Sequence, residues 1–106
     1  MYKEVTNNMT ALLVMSIIAK EDLYGYEIIK RLSEKSENVF EFKEGTLYPV
    51  LYKLEQQGFV GSYEKVAENG KKRKYYSLLK KGRKELESQK SKWLTYENAV
   101  KRIVEG

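Results

Sequence analysis

Four adjacent basic residues, Lys71, Lys72, Arg73 and Lys74, form a concentrated patch of positive charge. The wider segment 71–84 holds eight of the twenty basic residues of the chain and no acidic residue. Ammonium and guanidinium groups arranged in this way can neutralise nucleic-acid phosphates, although solvated lysine-rich surfaces are also common. The position of the basic segment within the fold decides between these two interpretations.

A second group of polar and aromatic side chains lies on a helix predicted from about Gly45 to Gln57. Its apolar residues recur at the spacing of one helical face: Leu47, Val50, Leu51 and Leu54. Pro49 suits the first turn of a helix, and Gly58 suits the left-handed position that ends one. The opposite face carries groups that can contact base edges or phosphates: Thr46, Tyr48, Pro49, Tyr52 and Lys53.

The composition excludes several kinds of chemistry. The 106 residues include no histidine and no cysteine, which removes disulfides, Cys/His zinc sites and Cys/His catalysis together. The carboxylates are scattered beside lysine or arginine, so we expect neither an enzyme nor a cofactor or metal site. The apolar run at 11–19 is too short to span a membrane, and we expect a soluble, cytoplasmic protein.

Three further helices are predicted around these groups. The segment 6–20 is helical with apolar residues on several faces, and the segment 24–35 is an amphipathic helix with one apolar face. The segment 36–43 has no helical period, and residues 39–42 fit either a short strand or a packed turn. The last helix, 80–104, would be roughly 36 Å long, which is long for a small monomeric domain.

The basic residues themselves lie on a predicted β-hairpin. Aromatic and β-branched residues in 59–66 and 73–79 predict two strands, joined by a turn that contains Asn69-Gly70. The fold class is therefore mainly α with a small β-hairpin: a winged helix-turn-helix domain at 1–79 and a long C-terminal dimerisation helix at 80–106. In such a domain the third helix enters the major groove and the hairpin, or wing, contacts the adjacent backbone or minor groove. Four phosphate contacts per subunit would give a dimer a salt slope of about −7.

The nine tyrosines can serve either packing or contact with a ligand. For Tyr75 and Tyr76 we favour packing, because adjacent strand residues face opposite ways and one of them should support the hairpin core. For Tyr48 and Tyr52 we favour contact with DNA, because both lie away from the apolar stripe of their helix.

Four separated motifs carry a family resemblance: Leu-Tyr-Gly-Tyr-Glu-Ile at 23–28, Glu-Gly-Thr-Leu-Tyr-Pro at 44–49, Leu54-Glu55 with Gly58, and Lys-Arg-Lys-Tyr-Tyr at 72–76. In this order they resemble the PadR-type transcriptional regulators, and the C-terminal part resembles the branch with a single long helix. The resemblance implies a homodimeric DNA-binding repressor. It places Thr46, Tyr48 and Tyr52 near operator DNA, residues 71–74 on the basic wing, and Tyr24 and Tyr26 in packing roles.

The long last helix predicts how two subunits associate. Its apolar residues recur at heptad-like spacing: Leu86, Trp93, Tyr96, Val100 and Ile103. The small winged domain cannot cover this stripe, and the first helix also has surplus apolar surface. We expect the two helices to meet across a two-fold axis, which would set two half-sites about 34 Å apart on the DNA.

Trp93, the one tryptophan in the sequence, would lie near the centre of such a dimer. In related single-helix members this region lines a site for flat aromatic effectors, so the resemblance implies a repressor released by a small aromatic effector. By position, the lining would be Asn8, Ala11, Leu12, Met15, Gln89, Trp93, Tyr96 and Glu97. The alternative, which we favour for Trp93, is that it anchors the dimer interface. The alternative function is a winged-helix protein-interaction or RNA-binding module without an effector site.

Overall fold

The computed structural model describes the backbone of residues 2–106 and the side chains of residues 9–106. This part of the chain forms four helices and three strands, in the order α1 (Tyr2–Ile18), β1 (Leu23–Tyr24), α2 (Gly25–Lys35), α3 (Glu44–Gln56), β2 (Val60–Val66), β3 (Lys72–Leu78) and α4 (Lys80–Val104). The predicted fold class, mainly α with a small hairpin and a long final helix, is confirmed.

The sheet is antiparallel, with the strand order β1-β3-β2. The hairpin strands β2 and β3 pair from Val60 opposite Leu78 to Val66 opposite Lys72. The short strand β1 pairs with the other edge of β3, where Tyr24 lies opposite Tyr75. The sequence did not predict β1, because two residues are too few to show a period.

The core lies between the helices and one face of the sheet. Its most deeply buried side chains come from the first three helices and from β1 and β2: Val14, Met15, Ile18, Leu23, Ile28, Leu47, Leu51 and Val60. The stripe predicted for the third helix is confirmed, since Leu47, Leu51 and Leu54 are buried and Val50 is partly buried. Burial of this stripe fixes which face of α3 turns outward.

The connection between α2 and α3 is a packed turn rather than a strand. Ser36 Oγ donates to the Leu32 carbonyl at 2.7 Å and accepts from the Phe40 amide at 2.9 Å. The Phe40 and Phe42 rings stack with their centroids 6.1 Å apart, and Phe42 packs against the core. Of the two alternatives that the sequence left open at 39–42, the structure therefore selects the turn.

The last helix is held by the winged domain at its beginning. Leu79, the one residue between β3 and α4, donates its amide to the Phe59 carbonyl at 2.9 Å. Gly82 lies so close to the same carbonyl that a Cβ atom there would collide with it. From about Trp93 onward the apolar side chains of α4 are largely exposed on one chain, Ile103 by 81%.

Candidate nucleic-acid interface

The sequence assigned five side chains of α3 to DNA contact, and all five lie on the outward face of this helix. Thr46, Pro49 and Lys53 are exposed, and Tyr52 is 66% exposed. Tyr48 is 42% exposed, so it is less accessible than Tyr52. These placements follow from the burial of the opposite stripe, and they bring hydroxyl, ammonium and apolar groups together on one surface.

Tyr48 has a structural contact that the sequence did not indicate. Its ring and hydroxyl lie directly over Gly25, the first residue of α2, where any Cβ atom would overlap them. The hydroxyl also lies near the buried Tyr76 and contributes to raising the pKa of that phenol, a shift caused mainly by burial. Tyr48 therefore packs α3 against α2, and part of its side chain remains exposed to solvent.

The hairpin separates its basic residues onto two faces. Tyr76 and Leu78 are buried on the inner face of β3, and the alternation of the strand puts Lys72 and Lys74 on that same face. Arg73 and Tyr75 lie on the outer face. The packing role predicted for Tyr76 is confirmed, since this residue is 4% exposed.

Lys74 is engaged within the protein. Its Nζ lies 3.4 Å from Glu55 Oε1 in the last turn of α3, and Ser62 Oγ of β2 donates to Glu55 Oε2 at 2.8 Å. Partial burial lowers the pKa of Lys74, but Tyr76 and Glu55 raise it by more, so the pKa stands above its usual value. This contact joins the wing to the recognition helix α3.

Arg73 lies in an aromatic cluster on the outer face of the sheet. Its guanidinium stacks on Tyr24, with 4.6 Å from Cζ to the ring centroid, and Tyr24 meets Tyr75 edge-on at 5.5 Å. Tyr75 also stacks on Tyr63 at 5.8 Å, so its predicted packing role is confirmed. The packing role expected of Tyr24 is confirmed too, whereas Tyr26 is 59% exposed and stacks on Tyr24 with the ring centroids 6.5 Å apart.

Lys71 and Lys72 project from the exposed end of the hairpin. Both are exposed, and the described side chains include no carboxylate within ion-pair distance of either ammonium. Lys72 lies opposite Val66 in the register, at the tip of the wing. Within the basic cluster 71–74, these two lysines and Arg73 have no described carboxylate within ion-pair distance.

The residues predicted to line an effector site are only partly brought together. Leu12, Gln89, Trp93 and Tyr96 border a cleft of about 280 Å³ between α1 and α4, together with Met9, Glu85 and Lys92. Ala11 borders a neighbouring cleft that reaches Pro49 and Lys53 of α3.

Two other predicted lining residues, Met15 and Glu97, do not border the cleft between α1 and α4 either. Met15 is fully buried in the core, which corrects its predicted place in the lining. Glu97 pairs with Lys101 at 3.1 Å and is not among the cleft residues. The side chain of Asn8 lies outside the described part of the chain.

The described residues include neither a metal-binding cluster nor a membrane-spanning helix. Among them, no three carboxylate, histidine or cysteine side chains come together in a way that could hold a metal ion. The helices of this part of the chain also lack the length and apolar character needed to cross a membrane.

Comparison with known proteins gives closely similar folds. A transcriptional regulator from Clostridium thermocellum has a TM-score of 0.85 and 29% identity, covering 95% of this chain and 98% of that one. A PadR family transcription regulator from Clostridium difficile R20291 has a TM-score of 0.78 and 33% identity, covering 90% and 97%. A protein from Streptococcus mutans UA159 has a TM-score of 0.82 and 36% identity, covering 94% and 90%.

The fold, the exposed face of α3 and the basic wing define a winged-helix DNA-binding protein of the transcription-regulator class. The sequence also matches the transcriptional regulator PadR-like family over residues 14–88, which is more than half of the chain. The chain therefore belongs to the PadR-like family, whose members are transcriptional regulators and not enzymes. This assignment favours DNA over the protein-interaction or RNA-binding alternative.

Proposed function

We propose that the protein is a homodimeric repressor that acts in the cytoplasm on double-stranded operator DNA. The outward face of α3 would contact bases in the major groove, and Lys71, Lys72 and Arg73 of the wing would contact phosphates. The observation that carries the proposal is the placement of an exposed polar helix face beside a basic hairpin, which the Glu55–Lys74 contact holds together. Repression, rather than activation, is taken from the family resemblance.

Selection of bound duplexes from a random pool tests this proposal. A two-fold-symmetric site with half-sites about 34 Å apart is expected from a dimer with two recognition helices. Replacing Lys71, Lys72 and Arg73 with alanine should weaken binding to the selected duplex and to a random duplex alike, and should flatten the salt dependence. If binding and its salt dependence stay as they were, the wing does not contact DNA.

The base-contact role of α3 has a separate test. Thr46→Ala and Tyr52→Ala should each lower affinity for the selected duplex more than affinity for a random duplex, because base contacts carry sequence discrimination. The matched control is Gln57→Ala, which is exposed, follows the last residue of α3 and lies away from the face that carries Tyr52. Equal losses on both duplexes would contradict base contact by Thr46 and Tyr52.

Dimerisation through residues 80–106, with α1 in the same interface, is the second part of the proposal. Tyr96, Val100 and Ile103 are between 40% and 81% exposed on one chain, and they lie on one face of the last turns of a 25-residue helix. An apolar surface of this extent is typical of a protein–protein interface. A second copy of α4 provides a self-complementary partner for it.

Release by a small planar aromatic effector is the third part of the proposal. The cleft between α1 and α4 offers Trp93 and Tyr96, whose rings lie 6.0 Å apart, as a surface for stacking. A ligand there releases DNA only if it favours a dimer geometry in which the two recognition helices no longer match successive grooves. Planar aromatic compounds should then quench Trp93 fluorescence; unchanged fluorescence well above micromolar concentration would leave Trp93 as an interface anchor.

A further inference from the structure

The four adjacent basic residues of the wing, Lys71 to Lys74, differ in the charges that surround them. Lys74 pairs with the carboxylate of Glu55 of α3 at 3.4 Å, and its cross-strand partner in the register of the hairpin is Glu64. Lys72 lies on the same face of the same strand, two residues away, but its cross-strand partner is the apolar Val66. The two lysines therefore share residue type and orientation, while only Lys72 presents an uncompensated charge among the described side chains.

The carboxylate of Glu55 binds the hairpin through both of its oxygens. Oε1 faces Lys74 on β3, and Oε2 accepts the Ser62 hydroxyl of β2 at 2.8 Å. Glu55 belongs to the last turn of α3, and its side chain is 27% exposed. One helical side chain thus spans both strands of the wing, which restricts how the wing can tilt relative to α3.

The ammonium of Lys74 also contacts an aromatic ring on the inner face of the hairpin. Its Nζ lies 5.4 Å from the centroid of the buried Tyr76 ring, a cation–π distance. Movement of Lys74 toward a phosphate would break this contact and the ion pair, and it would leave Glu55 half-buried without its cation. The cost of those losses opposes a direct phosphate contact.

We infer that Lys74 is a positioning residue, which with Glu55 fixes the wing against the recognition helix, and that it does not itself neutralise a DNA phosphate. The inference rests on the proposed contact between the wing and DNA. It reduces the expected phosphate contacts from four to three per subunit. The salt slope of a dimer should then be about −5 instead of about −7.

Salt titrations of five variants test the inference, using a duplex selected from a random pool and a random-sequence duplex of equal length. Lys72→Gln should weaken binding to both duplexes and reduce the slope by about 1.8 per dimer, since it removes one phosphate contact from each subunit. Lys74→Gln should leave the slope unchanged. It should lower affinity for the selected duplex by roughly five-fold at every salt concentration. The reason is that this variant loses the fixed position of the wing relative to α3 but loses no phosphate contact.

For Glu55→Gln, the two interpretations predict changes in DNA affinity of opposite direction. If Glu55 were a bystander, removing a carboxylate beside a polyanion would tighten binding, whereas loss of a positioning contact should weaken binding to the selected duplex by a similar roughly five-fold factor. The double variant Glu55→Gln with Lys74→Gln should bind no more weakly than the weaker single variant, because both changes remove one contact. Additive losses would contradict a shared role.

A loss of folding in Lys74→Gln does not remove the test, because Ser62→Ala breaks the same tether without changing any charge. Ser62→Ala should lower discrimination between the two duplexes and leave the salt slope unchanged. Tighter binding by Glu55→Gln, or a slope reduction in Lys74→Gln as large as that in Lys72→Gln, would overturn the inference alone. An unchanged slope in Lys72→Gln would instead overturn the proposed wing contact on which the inference rests.

Discussion

Tyrosine is used for different purposes at neighbouring places in this protein. Tyr76 fills the core beneath the hairpin, Tyr52 projects into solvent, and Tyr48 does part of each. The sequence placed Tyr52 and Tyr76 by their helical and strand spacing. The spacing could not reveal the contact of Tyr48 with Gly25, because that contact joins residues distant in sequence.

The Tyr48–Gly25 contact gives a prediction about DNA discrimination. Gly25→Ala should displace the Tyr48 ring outward, because the new Cβ atom overlaps the ring and the exposed side of Tyr48 is free to move. The free energy of unfolding should change by less than about 1 kcal/mol, since alanine is also favoured over glycine in a helix. Affinity for the selected duplex should fall relative to a random duplex.

The Tyr48→Ala background serves as the control for this effect. In that background Gly25→Ala has no ring to displace. It should therefore leave the ratio of the affinities for the selected and the random duplex unchanged. An equal effect of Gly25→Ala with and without the Tyr48 ring would show that the displaced ring is not the cause.

Tyr76 also makes stability depend on alkaline pH. Burial raises the pKa of Tyr76 above its ordinary value of 10.0, and Glu55 adds to the rise while Lys74 opposes it. The folded protein therefore holds the phenolic proton more tightly than the unfolded chain does. This contribution is fully present below about pH 10 and is lost as the pH rises through the folded pKa.

We expect the free energy of unfolding, measured in urea at fixed protein concentration, to decline above about pH 10. Tyr76→Phe should show a smaller decline, because the titrating phenol is gone. The exposed Tyr52 provides the control, and Tyr52→Phe should keep the decline of the parent protein. A decline in Tyr76→Phe as steep as in the parent would mean that other groups cause it.

Among the elements, those with a clear period or turn could be predicted from sequence. The stripe of α3, its end at Gly58 with φ of 77°, and the hairpin around Asn69-Gly70 all follow from local preferences. The short strand β1 and the turn at 36–43 could not be fixed, because their conformation depends on distant partners. For β1 that partner is β3, which lies fifty residues later in the chain.

The start of α4 depends on a glycine that the sequence did not single out. Gly82→Ala should destabilise the protein by about 1–3 kcal/mol, because the Cβ atom would meet the rigid Phe59 carbonyl and the Leu78 side chain. Gly45→Ala is the matched control, since a Cβ atom at Gly45 has no neighbour within 4 Å. It should be neutral or stabilising by up to about 1 kcal/mol.

Urea denaturation of both variants at equal protein concentration measures the difference. A Gly82→Ala protein as stable as the parent would show that α4 can shift along β2 without loss. The same data test whether α4 and the winged domain unfold together, because a weakened junction should appear as a second transition.

For the whole molecule, the cleft between α1 and α4 shows where sequence reasoning stops. Leu12, Gln89, Trp93 and Tyr96 were placed together by the family resemblance, and they do meet at this cleft. Met15 was placed with them but lies in the core. The segment 9–18 is apolar on several faces, so its period could not show which residues turn toward α4 and which toward the sheet.

The exposed end of α4 gives a prediction about assembly. Val100→Asp should dissociate a dimer formed through this helix, because a buried unpaired charge costs roughly 3 kcal/mol or more. Light scattering should then give a molar mass near 12.5 kDa instead of twice that value. Asn98→Asp adds the same side chain at an exposed position on the opposite face of α4, and it should leave the mass of the parent protein.

If Val100→Asp keeps the mass of the parent, the stripe on α4 is not the contact between subunits. The winged domain should remain folded in that variant, since Val100 is distant from the core elements that hold α4 at Gly82 and Leu86. The denaturation midpoint at low protein concentration separates dissociation from unfolding.

The junction at Leu79 makes α4 a lever. A single residue separates β3 from a helix of 25 residues, and the Leu79 amide and Gly82 both abut the carbonyl of Phe59. A helix of that length extends about 37 Å, so a tilt of about 5° at the junction would sweep its far end through about 3 Å. This junction directly follows β3, the strand that carries most of the wing cations. A change in the angle between two paired α4 helices would therefore also change the distance between the two wings.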